Sequence, residues 1–300
     1  MKMKRKLIAA VLMSAMVVSL VTGCSSKPAD ESAVSPAETQ GTEQEVPQEA
    51  PEEEAAPAGE AVTLNVFAAA SMTETLEKIQ GMYADVAPEV TLVFNFDSSG
   101  TLKTQIEEGA DCDLFISAAQ KQMNQLDISA DPEVNEDGLD FVLEGSRIDL
   151  LENKVVLAVP DGNPAGIETF EDLGTDKLSL LALGNDDVPV GQYSTEILTN
   201  LDLLSSLEGA GKITYGSNVK EVTTQVSEVT ADAGIIYATD AFSAGLTVVD
   251  EADETLCKRV IYPAAVLKTA QNQEAAAAFL DYLTTDDCTA VFEEVGFTRP

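Results

Sequence analysis

Two apolar periods alternate along this chain. Val62, Leu64, Val66 and Ala68 fall at the two-residue spacing of a strand, and Met72, Leu76, Ile79 and Tyr83 follow at helical spacing. Between them Ser71-Met72-Thr73-Glu74 fits a capping box, in which the Ser71 oxygen would satisfy a free N–H of the first helical turn. The arrangement then recurs. Val90, Leu92, Phe94 and Phe96 alternate, Asp97-Ser98-Ser99-Gly100-Thr101 forms a turn, and Leu102 and Ile106 mark a second helix closing at Gly109. Two successive strand-to-helix turns therefore put Ser71 and Ser99 at helix starts. Unpaired N–H groups and the positive end of the helix dipole make such starts anion sites. In open α/β sheets, ligands lie beyond the carboxyl ends of the strands, where both serines fall, so the pattern points to a small oxyanion.

The pattern continues to the end of the chain. Asp113–Ala118 reads as a third strand, which with right-handed crossovers implies a parallel sheet. Residues 127–149 are acidic and weakly periodic, a surface excursion. Asn153–Pro160 is wholly apolar from Val155 to Val159, as a buried parallel strand would be. A second strand–helix series follows: a strand over Leu178–Leu183, a loop over Asn185–Tyr193 leading into a helix through Leu198, a strand at Ile213–Tyr215, a helix from Val219 capped by Ser217-Asn218, and a strand at Ala233–Tyr237. Val260–Leu267, interrupted by Pro263, suits a connection between two lobes, and helices over Glu274–Leu283 and Asp286–Glu294 close the chain. Two series joined by crossing strands imply two lobes around a cleft.

The first 60 residues differ from the rest. Lys2, Lys4, Arg5 and Lys6 precede an apolar run from Leu7 to Leu20, too short to span a bilayer comfortably and suited to an export signal. It ends in Leu20-Val21-Thr22-Gly23-Cys24-Ser25-Ser26, which resembles a bacterial lipoprotein signal, cleaved before Cys24 and lipidated on it. Residues 1–23 are thus expected to be removed. Residues 24–60, rich in Pro, Glu, Ala, Ser and Gln, carry one lysine and ten acids and read as a disordered acidic tether from a membrane-anchored cysteine.

Charge and composition narrow the function. The chain carries −35 in all, of which −30 lies on residues 61–300, so nucleic acid is a poor partner. There is no histidine, which removes Ser-His-Asp and Cys-His chemistry and the commonest metal ligand. Cys112, Cys257 and Cys288 have no metal-ligand spacing; one disulfide among them is open, with buried thiols the simpler reading. Asp111-x-Asp113 and Asp186-Asp187 lack a calcium loop and read as solvated or capping carboxylates, with no direct cation site.

Six motifs then stand in a recognisable order: Ala68-Ala69-Ala70-Ser71, Ser98-Ser99-Gly100-Thr101-Leu102, Asp113–Ala118, Val188-Pro189-Val190-Gly191-Gln192-Tyr193, Gly234-Ile235-Ile236-Tyr237, and Tyr262-Pro263 followed by Phe279-Leu280 and Gly296-Phe297. Over essentially all of residues 61–300 they resemble the molybdate-binding proteins of bacterial ABC importers. The resemblance implies a two-lobed α/β periplasmic-binding-protein type II fold, each lobe a mostly parallel sheet flanked by helices, with residues 61–153 in lobe one, 154–245 in lobe two and 246–300 returning to lobe one. It implies a monomer without cofactor that captures molybdate or tungstate and hands it to a permease and its ATPase at the outer face of the cell membrane. By position, the side chains and N–H groups of Ser71 and Ser99 would grip the ion from lobe one; the N–H groups of Val190 and Val219 and the Tyr237 hydroxyl would grip it from lobe two. Two positions depart from the family: Val190 stands where alanine is usual, and Asp97 where a small neutral residue is common. An inward Asp97 would repel a dianion or take a proton from hydrogen phosphate. Sulfate, phosphate or a small organic acid therefore remain alternative ligands. An enzyme would need Asp, Glu, Lys or Tyr as base beside Ser71 or Ser99, and an adhesive lipoprotein would need neither serine.

Overall fold

The structure, a computed structural model, describes residues 61–300; the signal, Cys24 and the tether lie outside the described residues. In lobe one, β1 (Val62–Ala69), α1 (Thr73–Val86), β2 (Val90–Asp97), α2 (Ser99–Glu107), β3 (Leu114–Ile116), α3 (Gln120–Asn124) and β4 (Ile148–Asn153) follow in order. The chain crosses into lobe two as β5 (Val155–Val159), β6 (Leu181–Gly184), α4 (Pro189–Asn200), α5 (Leu204–Gly209), β7 (Ile213–Gly216), α6 (Val219–Ser227), β8 (Ala233–Tyr237), α7 (Ala238–Ala244) and β9 (Thr247–Glu251). It returns as β10 (Val260–Val266), α8 (Gln273–Leu283) and α9 (Asp286–Val295).

Each lobe holds a five-stranded sheet, ordered β2-β1-β3-β10-β4 in lobe one and β7-β6-β8-β5-β9 in lobe two. The alternation in β1 does what its period requires. Leu64, Val66 and Ala68 enter one core with Leu76 and Ile79 of α1 and Phe279 of α8, while Phe67 enters a second core with Leu102 and Ile106 of α2 and Phe115 of β3. Helices thus cover both faces of the sheet, and its parallel strands β2, β1 and β3 all end on the side facing lobe two.

Three expectations need correction. The apolar strand β5 runs antiparallel to both neighbours, β8 and β9. Its unbroken apolar run reports burial on both faces, a condition set by the covering helices rather than by strand direction. The return to lobe one comes after Glu251, not at 246, because β9 is the edge strand of the second sheet; its side chains are half-buried or exposed, which leaves little apolar signal. The helix expected to begin near Tyr193 already begins at Pro189. Proline at the first helical position suits it, since it has no N–H to leave unpaired there.

Only Lys154 separates β4 of the first sheet from β5 of the second, and residues 252–259 form the other crossing. In β10 the register shifts between Tyr262 and Pro263, a bulge that lets a residue without an N–H sit inside a sheet. The Phe297 ring packs edge-on against Tyr262, with centroids 5.3 Å apart.

Candidate functional site: an interlobe anion cleft

Four helix starts and one strand end converge where the lobes meet. A small cavity there is lined from lobe one by Ala69–Ser71, Asp97–Ser99 and Ala118, and from lobe two by Val188, Pro189, Val219 and Tyr237. Ser71, Ser99, Val219 and Tyr237 are thereby brought together as expected. Val190 is fully buried one residue behind the lining. Because Pro189 has no N–H, that of Val190 is the first one α4 can offer.

Ser71 does not cap α1. A 3₁₀ turn over Ala70–Met72 intervenes, the helix start at Met72 has no side-chain cap, and the Ser71 Oγ lies 2.9 Å from the Tyr262 hydroxyl. At α2 the cap is Ser98, whose Oγ accepts from the Thr101 N–H at 3.1 Å. Ser99, freed from capping and fully buried, accepts from the Ala118 N–H at 2.9 Å and keeps its own proton to donate. At α6 the expected cap forms, with Asn218 accepting from the Glu221 N–H. Tyr237, at the end of β8, reaches across to the Ala118 carbonyl at 3.4 Å, and burial, with Tyr262 beside it, holds its phenol well above the usual range. The hydroxyls at this junction are therefore neutral donors.

The lobes touch around the cleft. The Gly100 N–H donates to the Asp187 carbonyl at 3.0 Å; a Cβ at Gly100 would stand 2.3 Å from that oxygen, so glycine is required for the approach. Lys220 of α6 reaches both carboxylate oxygens of Glu74 on α1 at 2.7 Å and lies 3.1 Å from Asp240 on α7. Asp240 is buried and neither of its oxygens has well-formed hydrogen bonds, so despite Lys220 burial pushes its carboxyl up to about 6. Burial disfavours the Lys220 ammonium too, but Asp240 and Glu74 more than offset this and raise its pKa. Asp97 lines the cavity while its Oδ1 accepts from the Ser98 N–H at 2.7 Å.

Sequence reasoning missed Asn153, Lys220, Glu74 and Asp240, and quoted Tyr262 only within a motif. Their partners lie up to 191 residues away, beyond any local pattern. Cys112, Cys257 and Cys288 are buried free thiols, and Asp113 spends its carboxylate on the N–H groups of Asn65 and Gln271. Among the described residues no group of three or more potential ligands could hold a cation, and no helix is long and apolar enough to cross a membrane. Two roomier grooves, beside Arg147 and beside Lys258, lack converging helix starts.

A two-lobed α/β body with neutral donors converging between its lobes defines a solute-binding protein. Residues 64–298 match the family of bacterial extracellular solute-binding proteins, and the chain belongs to that family. It is 35% identical to a provisionally named ABC transporter substrate-binding lipoprotein of Bacillus subtilis, YvgL, over 79% of this chain and 86% of that one. It is 33% identical to the molybdate-binding protein ModA of Haemophilus influenzae, over 78% and 89% respectively. The solved periplasmic molybdate-binding protein of Azotobacter vinelandii, 24% identical, shares the fold with a TM-score of 0.68, over 79% of this chain and 99% of that one. The fold is thus the periplasmic-binding-protein type II fold, and the chain is the receptor component of an ABC importer.

Proposed function

We propose that this protein captures molybdate, and tungstate with it, between its lobes and delivers the ion to a membrane permease and its ATPase. It would do so as a monomer held at the outer face of the membrane by lipid on Cys24. The observation that carries this reading is the convergence of the Ser71, Ser99 and Tyr237 hydroxyls with the starts of α4 and α6 at one buried point. A tetrahedral dianion offers only acceptors, and such a wall offers hydroxyl and amide donors. Ser71, Ser99, Val190, Val219 and Tyr237 are the proposed ligand residues, Val190 and Val219 through their backbone N–H groups. The molybdate-binding relatives support the choice of ion, and the Bacillus relative supports the anchor.

Calorimetric titration with molybdate, tungstate, sulfate and phosphate in turn tests the reading. One-to-one binding of the first two, with the others silent, is expected; silence from molybdate and tungstate would overturn it. Asp97 in the cavity wall favours one second reading, a receptor for a proton-bearing anion such as hydrogen phosphate, whose proton that carboxylate would accept. Phosphate binding without molybdate binding would establish it.

A further inference from the structure

Behind Ser71 lies a buried chain of hydrogen bonds with only one consistent direction. The Asn153 Oδ1 accepts from the Lys154 N–H at 2.8 Å, and that donor fixes which end of the amide is which. Its Nδ2 must therefore face the other partners, the Thr239 hydroxyl at 2.9 Å and the Tyr262 hydroxyl at 3.2 Å. An amide nitrogen only donates, so the Tyr262 oxygen accepts from it. Tyr262 is fully buried and still has one proton to place. Its one well-formed hydroxyl contact is with the Ser71 Oγ at 2.9 Å, while the Tyr237 hydroxyl stands near it without that geometry. Burial pushes the Tyr262 phenol well above its ordinary range, so the proton stays on it. Ser71 is thus left to turn its own proton away from Tyr262, and the cavity it lines is where that proton can go.

We propose that Tyr262, oriented by Asn153, is a positioning residue that forces Ser71 to present a proton, not a lone pair, to the cleft. At Ser99 the donor-only Ala118 N–H does the same by an independent route. Both serines then have a proton free for the cleft and one lone pair already taken, which favours an anion that offers only acceptors. The chain also spans the hinge: Asn153 ends β4 in lobe one, Thr239 belongs to α7 in lobe two, and Lys154 is the crossing residue. This inference rests on the cleft being the oxyanion site.

A double-mutant cycle on the full chain tests it, read by titration with whichever of molybdate, tungstate, sulfate or phosphate the parent binds. Tyr262→Phe keeps the ring contacts with Tyr237 and Phe297 and is expected to weaken binding about tenfold, within the range for a hydrogen bond to a charged group. In the Ser71→Ala background the same change should do nothing further, whereas in Ser99→Ala the losses should multiply. A loss that carries over undiminished into Ser71→Ala, or no loss at all, overturns the proposal. Neutron diffraction on the parent, which needs no variant to fold, should place the tyrosyl deuteron between Tyr262 and Ser71; a deuteron on Ser71 directed at Tyr262 overturns it. If sulfate or phosphate binds in place of molybdate, the proposed substrate fails while the cycle still decides Tyr262. If no anion binds, the proposed function fails and the neutron map decides.

Discussion

A buried hydroxyl that already accepts one hydrogen bond has its proton free to give, and that makes Ser99 the proposed ligand where Ser98, one residue earlier, is a cap. Ser99→Ala and Tyr237→Phe are each expected to weaken oxyanion binding by about 1–3 kcal/mol, the range for losing a hydrogen bond to a charged group. Unchanged calorimetric affinity in both would remove the cleft from consideration. Asp97 gives a sharper test of the ion. Asp97→Asn keeps an oxygen to accept from the Ser98 N–H but deletes a negative charge from the cavity wall. Bound molybdate should then be held several-fold more tightly, by relief of like-charge repulsion worth about 1 kcal/mol at short range in high dielectric; weaker binding would point to a proton shared with Asp97. The sequence made Ser99 and Tyr237 legible because each sits at a strand end that periodicity locates. It misassigned the Ser71 hydroxyl because a Ser-x-x-Glu spacing cannot reveal a 3₁₀ turn ahead of the helix, nor Tyr262, 191 residues on, which takes the hydroxyl instead.

Among the elements, α6 helps to join the lobes, because Lys220 on its first turn reaches Glu74 of α1 across the cleft while lying against Asp240 of α7 in its own lobe. The two ion pairs differ in kind. Glu74 is half exposed, and Glu74→Gln should leave stability within about 1 kcal/mol of the parent while speeding anion release, since it loosens only the closed arrangement. Lys220→Met leaves Asp240 buried without its counter-charge and should cost about 3–5 kcal/mol at neutral pH. That cost should shrink as pH falls, because without Lys220 to hold it down the buried carboxyl protonates more readily still; denaturant unfolding at pH 5 and pH 8 measures both. In the parent the sign follows from the raised pKa. The folded state holds the Asp240 proton from 3.8 up to about 6, so this group's contribution to stability is full below 3.8 and is lost as pH rises through 6. Asp240→Asn should remove that slope. None of this was legible beforehand, since the partners of Lys220 lie 146 residues back at Glu74 and across the fold at Asp240, beyond any local pattern. The same blindness hid β9, whose half-exposed side chains give no apolar run, and the direction of β5, because burial on both faces looks alike in parallel and antiparallel sheets. Legible elements were those whose apolar positions recur at a clear period, such as β1, β2 and α1.

At the scale of the whole molecule, the donors of the cleft work against the field around them. Residues 61–300 carry −30, so a dianion approaching from solvent meets repulsion until it comes within reach of the helix starts and Lys220. Capture thus depends on short-range donors overcoming a long-range barrier, and salt separates the two. The Debye length shrinks from about 30 Å at 0.01 M to about 8 Å at 0.15 M ionic strength, which screens the distant carboxylates but leaves buried hydrogen bonds almost untouched. The association rate for molybdate should therefore rise about two- to three-fold over that interval when an inert salt is added, opposite to the fall seen where a basic surface steers an anion. Release should also quicken, because the half-exposed Glu74–Lys220 pair is screened as well, so affinity alone would hide the effect and the two rates must be resolved. Stopped-flow fluorescence can do so: the chain has no tryptophan, and Tyr237 and Tyr262, stacked edge-on at 5.7 Å beside the cleft, are native reporters. An association rate that falls with salt would mean that a local positive field at the cleft mouth, set by four helix starts and one lysine, outweighs the charge of the entire body.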